Sequence, residues 1–364
     1  MMNCQKMFFR RLVSQTGITL VEMLVAMVIG LILAGGIYQV FVGSSESYQL
    51  NTQLARVQES GRFAMQLLRQ EIRGAGYLGC AQDVDAYTSL LNNSNFYLFE
   101  FNNAIYGLEA TGNNTWADNS QGFTQAQLGT QLAIDTPLSG SDIVVIRGVF
   151  GGNITMYTEM PPPSADMKVA NAAGIINDND ILMISDCSHA SVFQVSSFNP
   201  NNGNLVYNTG GNYVLGDAGF PGNATKILGH DYKIGAEIVR IRSAVFFIRL
   251  NPGNQPALYM KEGVAPAVEL VEGVESMQIR YGEDTNNDGT VDTYVNANQV
   301  GNWERVRSVR IGLLLRSTAE AGRGPVDNNV YDVSGDGNDD FGPVGDRRLR
   351  LVMSGTVGLR NRLR

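Results

Sequence analysis

An apolar run from Ile18 to Val42 limits what this chain can fold into more than any other feature, because its only ionisable groups are Glu22 and the phenol of Tyr38. About 20 such residues in a helix cross the bilayer's hydrocarbon core, so 18–42 is expected to be a transmembrane helix. Lys6, Arg10 and Arg11 precede it with no acid among the first 17 residues. Positive charge stays on the cytoplasmic side, which puts the rest of the chain across the membrane. Glu22 then needs an explanation. A carboxylate at bilayer depth costs about 2.5–3.5 kcal/mol and is rarely found there without a partner. A charge near the first turn of a helix is favoured by the macrodipole, and the simplest alternative is an acid that snorkels to the interface.

The net charge is −8, and from Ile18 onward 24 basic residues face 35 acidic ones. That balance argues against a nucleic-acid binder driven by bulk charge. The cysteines are Cys4, Cys80 and Cys187, and Cys4 lies in the basic leader. Without the leader one pair remains, which in an oxidising compartment reads as a disulfide; the alternative is two separate buried thiols.

Gly17-Ile18-Thr19-Leu20-Val21-Glu22, followed by the apolar helix, resembles the processing site of type IV prepilins. Ile18 stands where that family usually has Phe. The resemblance implies a leader over 1–17, cleavage between Gly17 and Ile18 by an inner-membrane prepilin peptidase, and methylation of the new amino terminus. The freed amine of Ile18 on a neighbouring subunit would then meet Glu22 at matching depth, removing two isolated buried charges at once. Ala26, Gly30 and Ala34 recur every four residues on the same helix, a seam of small residues on which another helix can pack. Membrane helices are also rich in Gly and Ala for no such reason.

Beyond Val42 the helical period persists through Leu50, Leu54, Val57, Ala64, Leu68 and Ile72, with charged residues between. This amphipathic continuation, over 43–76, ends at Gly74-Ala75-Gly76 and Gly79. The first proline is Pro137, so a helix from Ile18 to about Arg73 meets no such break and would span about 84 Å. Its stripe needs a sheet to cover it. Strands are expected at Asp142–Phe150, Asp180–Ser185, Ser191–Phe198, Ala236–Leu250, Ala257–Lys261, Val274–Tyr281, Val306–Arg316 and Arg348–Val357. Met277, Ile279 and Tyr281 share one face and Ser276, Gln278 and Arg280 the other, which implies a half-buried antiparallel sheet. The polar stretches 92–131 and 199–223 read as long surface excursions. The fold class is therefore α+β, a long N-terminal helix packed on an antiparallel sheet with long loop insertions, the sheet lying in a domain over 77–364.

"GVESMQIRYGEDTNNDGTVDTYV", "WERVRSVRIGLLLRS" and "RLRLVMSGTVGLRNRLR" resemble the PilW group of minor pilins, which also resembles the J-type minor pseudopilin of type II secretion. The resemblance implies a pilin-like fold and a non-enzymatic role in priming pilus assembly, in a complex at the filament tip. The implied partners are prepilin peptidase, other minor pilins, the major pilin and the inner membrane, with no small-molecule substrate. The implied location is a single pass in a bacterial inner membrane with the C-terminal domain in the periplasm, then the pilus or cell surface. The alternatives are a type II secretion pseudopilin, or a tip adhesin or DNA-capturing protein that uses the loops around 92–131.

Asp284, Asn286, Asp288, Gly289, Thr290 and Asp292 have the spacing of a calcium loop, with oxygens converging where Gly289 permits a sharp turn. Position 12 is Val295 rather than a bidentate Glu, and a plain Asp/Asn/Gly turn accounts for the same residues. Asp332, Ser334, Asp336, Gly337 and Asp340 repeat the spacing. No catalytic set stands out. His189 and His230, the two histidines, are expected in turns or at the surface, and the six arginines from Arg347 to Arg364 on solvated strand positions.

Overall fold

The computed structural model describes residues 17–80, 87–151, 154–159, 164–170, 172–211, 214–215, 219–320 and 325–362. The leader residues Cys4, Lys6, Arg10 and Arg11 lie outside the described residues. Leu20–Gly74 form one 55-residue helix, α1. It stops where the sequence predicts, at Gly76 and Gly79, which adopt positive φ of 71° and 66°, a conformation that a Cβ disfavours.

The chain divides into two compact units, Met1–Thr52 and Gln53–Arg364. In the first, the large apolar side chains from Ile18 to Phe41 are all exposed. By length and composition this part of α1 can cross a membrane.

In the second unit the helix turns an apolar stripe inward. Val57, Gly61, Ala64, Met65, Leu68 and Ile72 are buried. Leu54, expected on that stripe, is 40% exposed, and Leu50, in the first unit, is 36% exposed, so the buried face begins about two turns later than the period suggested. Gly61 lets the helix lie close to the sheet. A Cβ there would lie 2.6 Å from Met353 Sδ and 2.8 Å from Leu315 Cδ1.

The larger sheet has 14 strands among the described residues. Its main members are β1 (Ile105–Gly112), β2 (Ile143–Val149), β3 (Ile181–Ser185), β4 (Ala190–Gln194), β5 (Glu237–Leu250) and β6 (Pro256–Glu262). The 14-residue β5 is the hub, pairing antiparallel with β2, β3 and β6. A second sheet orders β8 (Thr293–Val295), β7 (Val274–Glu283), β9 (Val306–Arg316) and β10 (Arg350–Gly358), all antiparallel. Both sheets share one core with α1. Val144, Ile146, Phe246 and Ile248 meet Met277, Ile279, Ile311 and Leu313 around Leu68 and Ile72.

Two expectations change. The polar face of β7 is covered rather than solvated, with Ser276 and Gln278 buried. Gln278 Nε2 donates to Gly140 O at 2.8 Å and Ile279 N to Asp142 Oδ2 at 2.8 Å, so the 140–142 segment caps what would be open backbone. The 92–131 stretch is not a surface excursion. Tyr97, Phe99, Phe101, Trp116, Phe123 and Leu128 build a second core with β1, β2 and β5. A short helix, α2 (Gln125–Leu132), seals it, started by a reciprocal cap between Thr124 and Gln127. Abundant Asn, Gly and Gln in this stretch hid regularly placed aromatics.

Candidate functional site

At the helix start the chain supplies its own cap. Thr19 N and Thr19 Oγ1 both donate to Glu22 Oε2 at 3.0 Å, and Glu22 N donates to Thr19 Oγ1 at 3.3 Å. Thr-x-x-Glu is the capping-box spacing, in which the two side chains satisfy each other's backbone N–H. The carboxylate is therefore held at the mouth of the helix, where the macrodipole is positive. Both bonds to it end on Oε2, so Oε1 keeps lone pairs to offer. Gly17 and Ile18 precede the helix and are exposed, as are Ala26, Gly30 and Ala34.

Cys80 and Cys187 form a disulfide, with Cα atoms 4.8 Å apart and 107 residues of sequence separation. By the chain-entropy account, a loop of that length is worth about 3–5 kcal/mol. The bond joins the segment just after α1 to the β3–β4 turn.

The 284–292 loop folds on its own backbone. Asp284 accepts from Asp288 N at 3.1 Å and Gly289 N at 2.9 Å, Asp288 from Thr290 N at 2.8 Å, and Asp292 from Thr285 N at 2.8 Å. The 332–340 loop repeats the pattern position for position. Asp332 accepts from Asp336 N and Gly337 N, Asp336 from Asn338 N, and Asp340 from Val333 N. In the first loop a cation is already present, because Arg307 Nε lies 3.1 Å from Asp284 Oδ2. The Asn286 side-chain amide donates to Asp288 and Asp292, so its nitrogen, not its oxygen, faces these carboxylates.

Residues 245–361 match the family described as type IV pilus-assembly protein W. Residues 13–38 match the prokaryotic N-terminal methylation motif. Together they support a type IV pilus minor pilin of the PilW group. The first match takes in β6 to β10 and the last six residues of β5, and the second takes in the capped helix start. Pilin families are generally structural rather than enzymatic. No curated protein matches the chain. Among solved structures, a type IV-like pilin from Thermus thermophilus is similar at 12% identity and a TM-score of 0.35, over 85% of this chain and 98% of that one.

Two acids and one buried arginine have no counterpart among the residues that the sequence singles out. Asp142, fully enclosed, accepts from Ala110 N at 2.9 Å and Ile279 N at 2.8 Å, fastening β1 to β7. Burial, then the nearby Glu109, pushes its carboxyl well above the usual range. Glu109 accepts from Asn296 Nδ2 at 2.9 Å and Ala297 N at 3.3 Å, and burial pushes it up to about 7. An acid raised in the folded state holds a proton that the unfolded chain has released, so stability falls as pH rises from about 4.5 to about 7. Glu109→Gln is expected to flatten the thermal-melting profile across that window and to gain about 2 kcal/mol above it, discounted for partial exposure. Melting curves from pH 4.5 to 8 check this.

Arg350 was expected on a solvated strand position, yet its guanidinium is fully buried. It reaches Glu275, Asp327 and Asp346 at 2.7, 3.0 and 2.6 Å. Only a chain fold that brings 327 and 346 to the start of β7 reveals this cluster, since Asp346 alone lies near Arg350 in sequence.

Proposed function

We propose that this pilin is cleaved between Gly17 and Ile18, methylated at the new amine, and enters a pilus-initiating complex through the α1 residues near Ile18. The observation that carries the reading is the capped Glu22. The acid is fixed at the helix mouth with an oxygen still free, next to the residue whose amine cleavage would release. In the assembly that amine, on an adjacent subunit, would bond Oε1 and neutralise the charge in lipid. Ala26, Gly30 and Ala34 would form the seam along which the helices approach, since nothing lies within 4 Å of a Cβ on Gly30. The leader over 1–17 stays cytoplasmic, the helix over 18–42 anchors the chain, and the β-rich part works in the periplasm and then at the pilus tip.

A deletion strain tests the assembly role. Surface pili are expected to fall at least tenfold and to return with the wild-type chain. Normal pilus numbers with lost adhesion or DNA uptake would instead favour a ligand-binding tip protein.

We further propose that calcium draws Asp284, Asn286, Asp288 and Asp292 inward, with the Thr290 carbonyl, and displaces Arg307. The loop supports this with three carboxylates against one guanidinium and with Gly289 at φ 88°, the sharp turn such loops use. Millimolar calcium is expected to stabilise the protein by about 2–3 kcal/mol at saturation, and Asp288→Asn to abolish the effect. An unchanged melting temperature in wild type would leave the loop as an ion-free turn.

A further inference from the structure

The two histidines of the chain, 41 residues apart in sequence, meet at one carboxylate. The β3–β4 turn, Asp186-Cys187-Ser188-His189, is closed by Asp186 N donating to His189 O at 3.2 Å. Cys187, at φ 68°, carries the disulfide to Cys80. Ser185 Oγ accepts from Cys187 N at 3.0 Å and donates to His189 O at 3.0 Å. The turn is thus pinned from both sides.

His230 arrives on a separate loop held just as firmly. Ser191 Oγ donates to Leu228 O at 2.6 Å and lies 2.8 Å from the hydroxyl of the buried Tyr232. This places the His230 ring between Tyr232, 5.0 Å away and edge-on, and His189, stacked at 3.8 Å. His230 Nε2 lies 2.8 Å from Asp186 Oδ2 and His189 Nδ1 3.8 Å from Asp186 Oδ1. Asp186 is itself aimed, accepting from Ser188 N at 3.0 Å and His189 N at 2.7 Å. Despite some desolvation, these N–H bonds and then His230 hold its carboxyl below the usual range.

From this we infer a transition-metal site, in which Asp186, His189 and His230 bind one Zn2+ or Cu2+ ion at the disulfide-bearing turn. One ligand atom from each residue lies within 4.8 Å of the others, close to the spacing that one ion with bonds of about 2.0–2.2 Å requires. Two imidazoles and a carboxylate are a donor set for zinc or copper, whereas calcium takes oxygens. The rings now stack face to face, so one must turn to point its lone pair at a shared ion. His189, with its side chain 56% exposed, has the room. The bonds from Ser188 and His189 to Asp186 and the Ser191–Tyr232 anchor are the outer contacts that orient such ligands. The site does not depend on the filament role.

The test uses the full chain in detergent, disulfide intact, without a polyhistidine tag, and with millimolar calcium present to occupy oxygen-rich loops. Cu2+ is added and followed by electron paramagnetic resonance. One Cu2+ per chain with coupling to two imidazole nitrogens is expected, displaced by excess Zn2+. His189→Ala and His230→Ala should each remove one nitrogen and weaken binding at least tenfold, and Asp186→Asn should weaken it while leaving both nitrogens. Because the chain has only these two histidines, the double variant should lose the imidazole signal entirely. No stoichiometric binding at micromolar Cu2+, or a spectrum unchanged in the double variant, overturns the inference. His189→Gln, which keeps a polar side chain of similar size at the exposed position, should fold normally and still lose one nitrogen.

Discussion

Glu22→Ala is expected to leave the protein in the membrane, with its second unit folded, and to lower its incorporation into pili at least tenfold. The carboxylate does two separable things. Its oxygen caps the helix through Thr19 N, and its charge would attract the amine of an adjacent subunit. Glu22→Gln separates them, because Gln serves at the same position of a capping box but carries no charge. If the charge matters, Gln and Ala are equally defective. If Gln restores incorporation, capping was the whole role and the intersubunit pair is wrong. Quantifying the protein in sheared pili reads the outcome. The energetic case is that an isolated intramembrane acid costs about 2.5–3.5 kcal/mol, a penalty that an opposite charge at the same depth offsets.

The second large effect is expected at Arg350. Its guanidinium makes two bonds to Glu275, at 2.7 and 3.1 Å, and further bonds to Asp346 and Asp327. Glu275 is also bonded by Arg316 Nη1 at 3.0 Å, Asp327 by the Tyr331 hydroxyl at 2.8 Å and Asp346 by Arg348 N at 3.1 Å, but Arg350 is the cation that touches all three acids. Breaking a buried pair from one side costs about 3–5 kcal/mol, because the remaining charges stay buried without a partner. Arg350→Met, which keeps much of the side chain's volume, is expected to lose that much in urea unfolding. The bond from Arg350 holds the Asp346 carboxyl at about 2. A depressed folded-state value stabilises above the unfolded value and is lost as pH falls through the folded one, here from about 3.8 to about 2. Arg350→Met should therefore also remove this part of the acid sensitivity.

The strands that could be read in the sequence are those whose apolar residues run on or alternate. Val306–Arg316 appears with the predicted bounds, and Glu237–Leu250 differs by one residue. The helix was legible because nothing breaks its period. The second core was not, since Tyr97, Phe99 and Phe101 alternate over only five residues that lie mostly in turns, next to Asn-rich sequence, and form no strand. The cap of α1 has a local signal as well. Thr19 and Glu22 are three apart before an apolar run, which is the capping-box spacing, and the macrodipole alone understated how firmly the acid is fixed. The meeting of His189 with His230 depends on two loops 41 residues apart, and the Arg350 cluster on a return from 327 to 346. Neither leaves a local pattern.

Mass spectrometry of the amino terminus of the protein taken from membranes tests the assembly reading most directly. A mature chain beginning at a methylated Ile18 is the predicted result. A chain that retains residues 1–17, or is cut beyond the apolar helix, would deny Glu22 its proposed partner and contradict the filament role built on it.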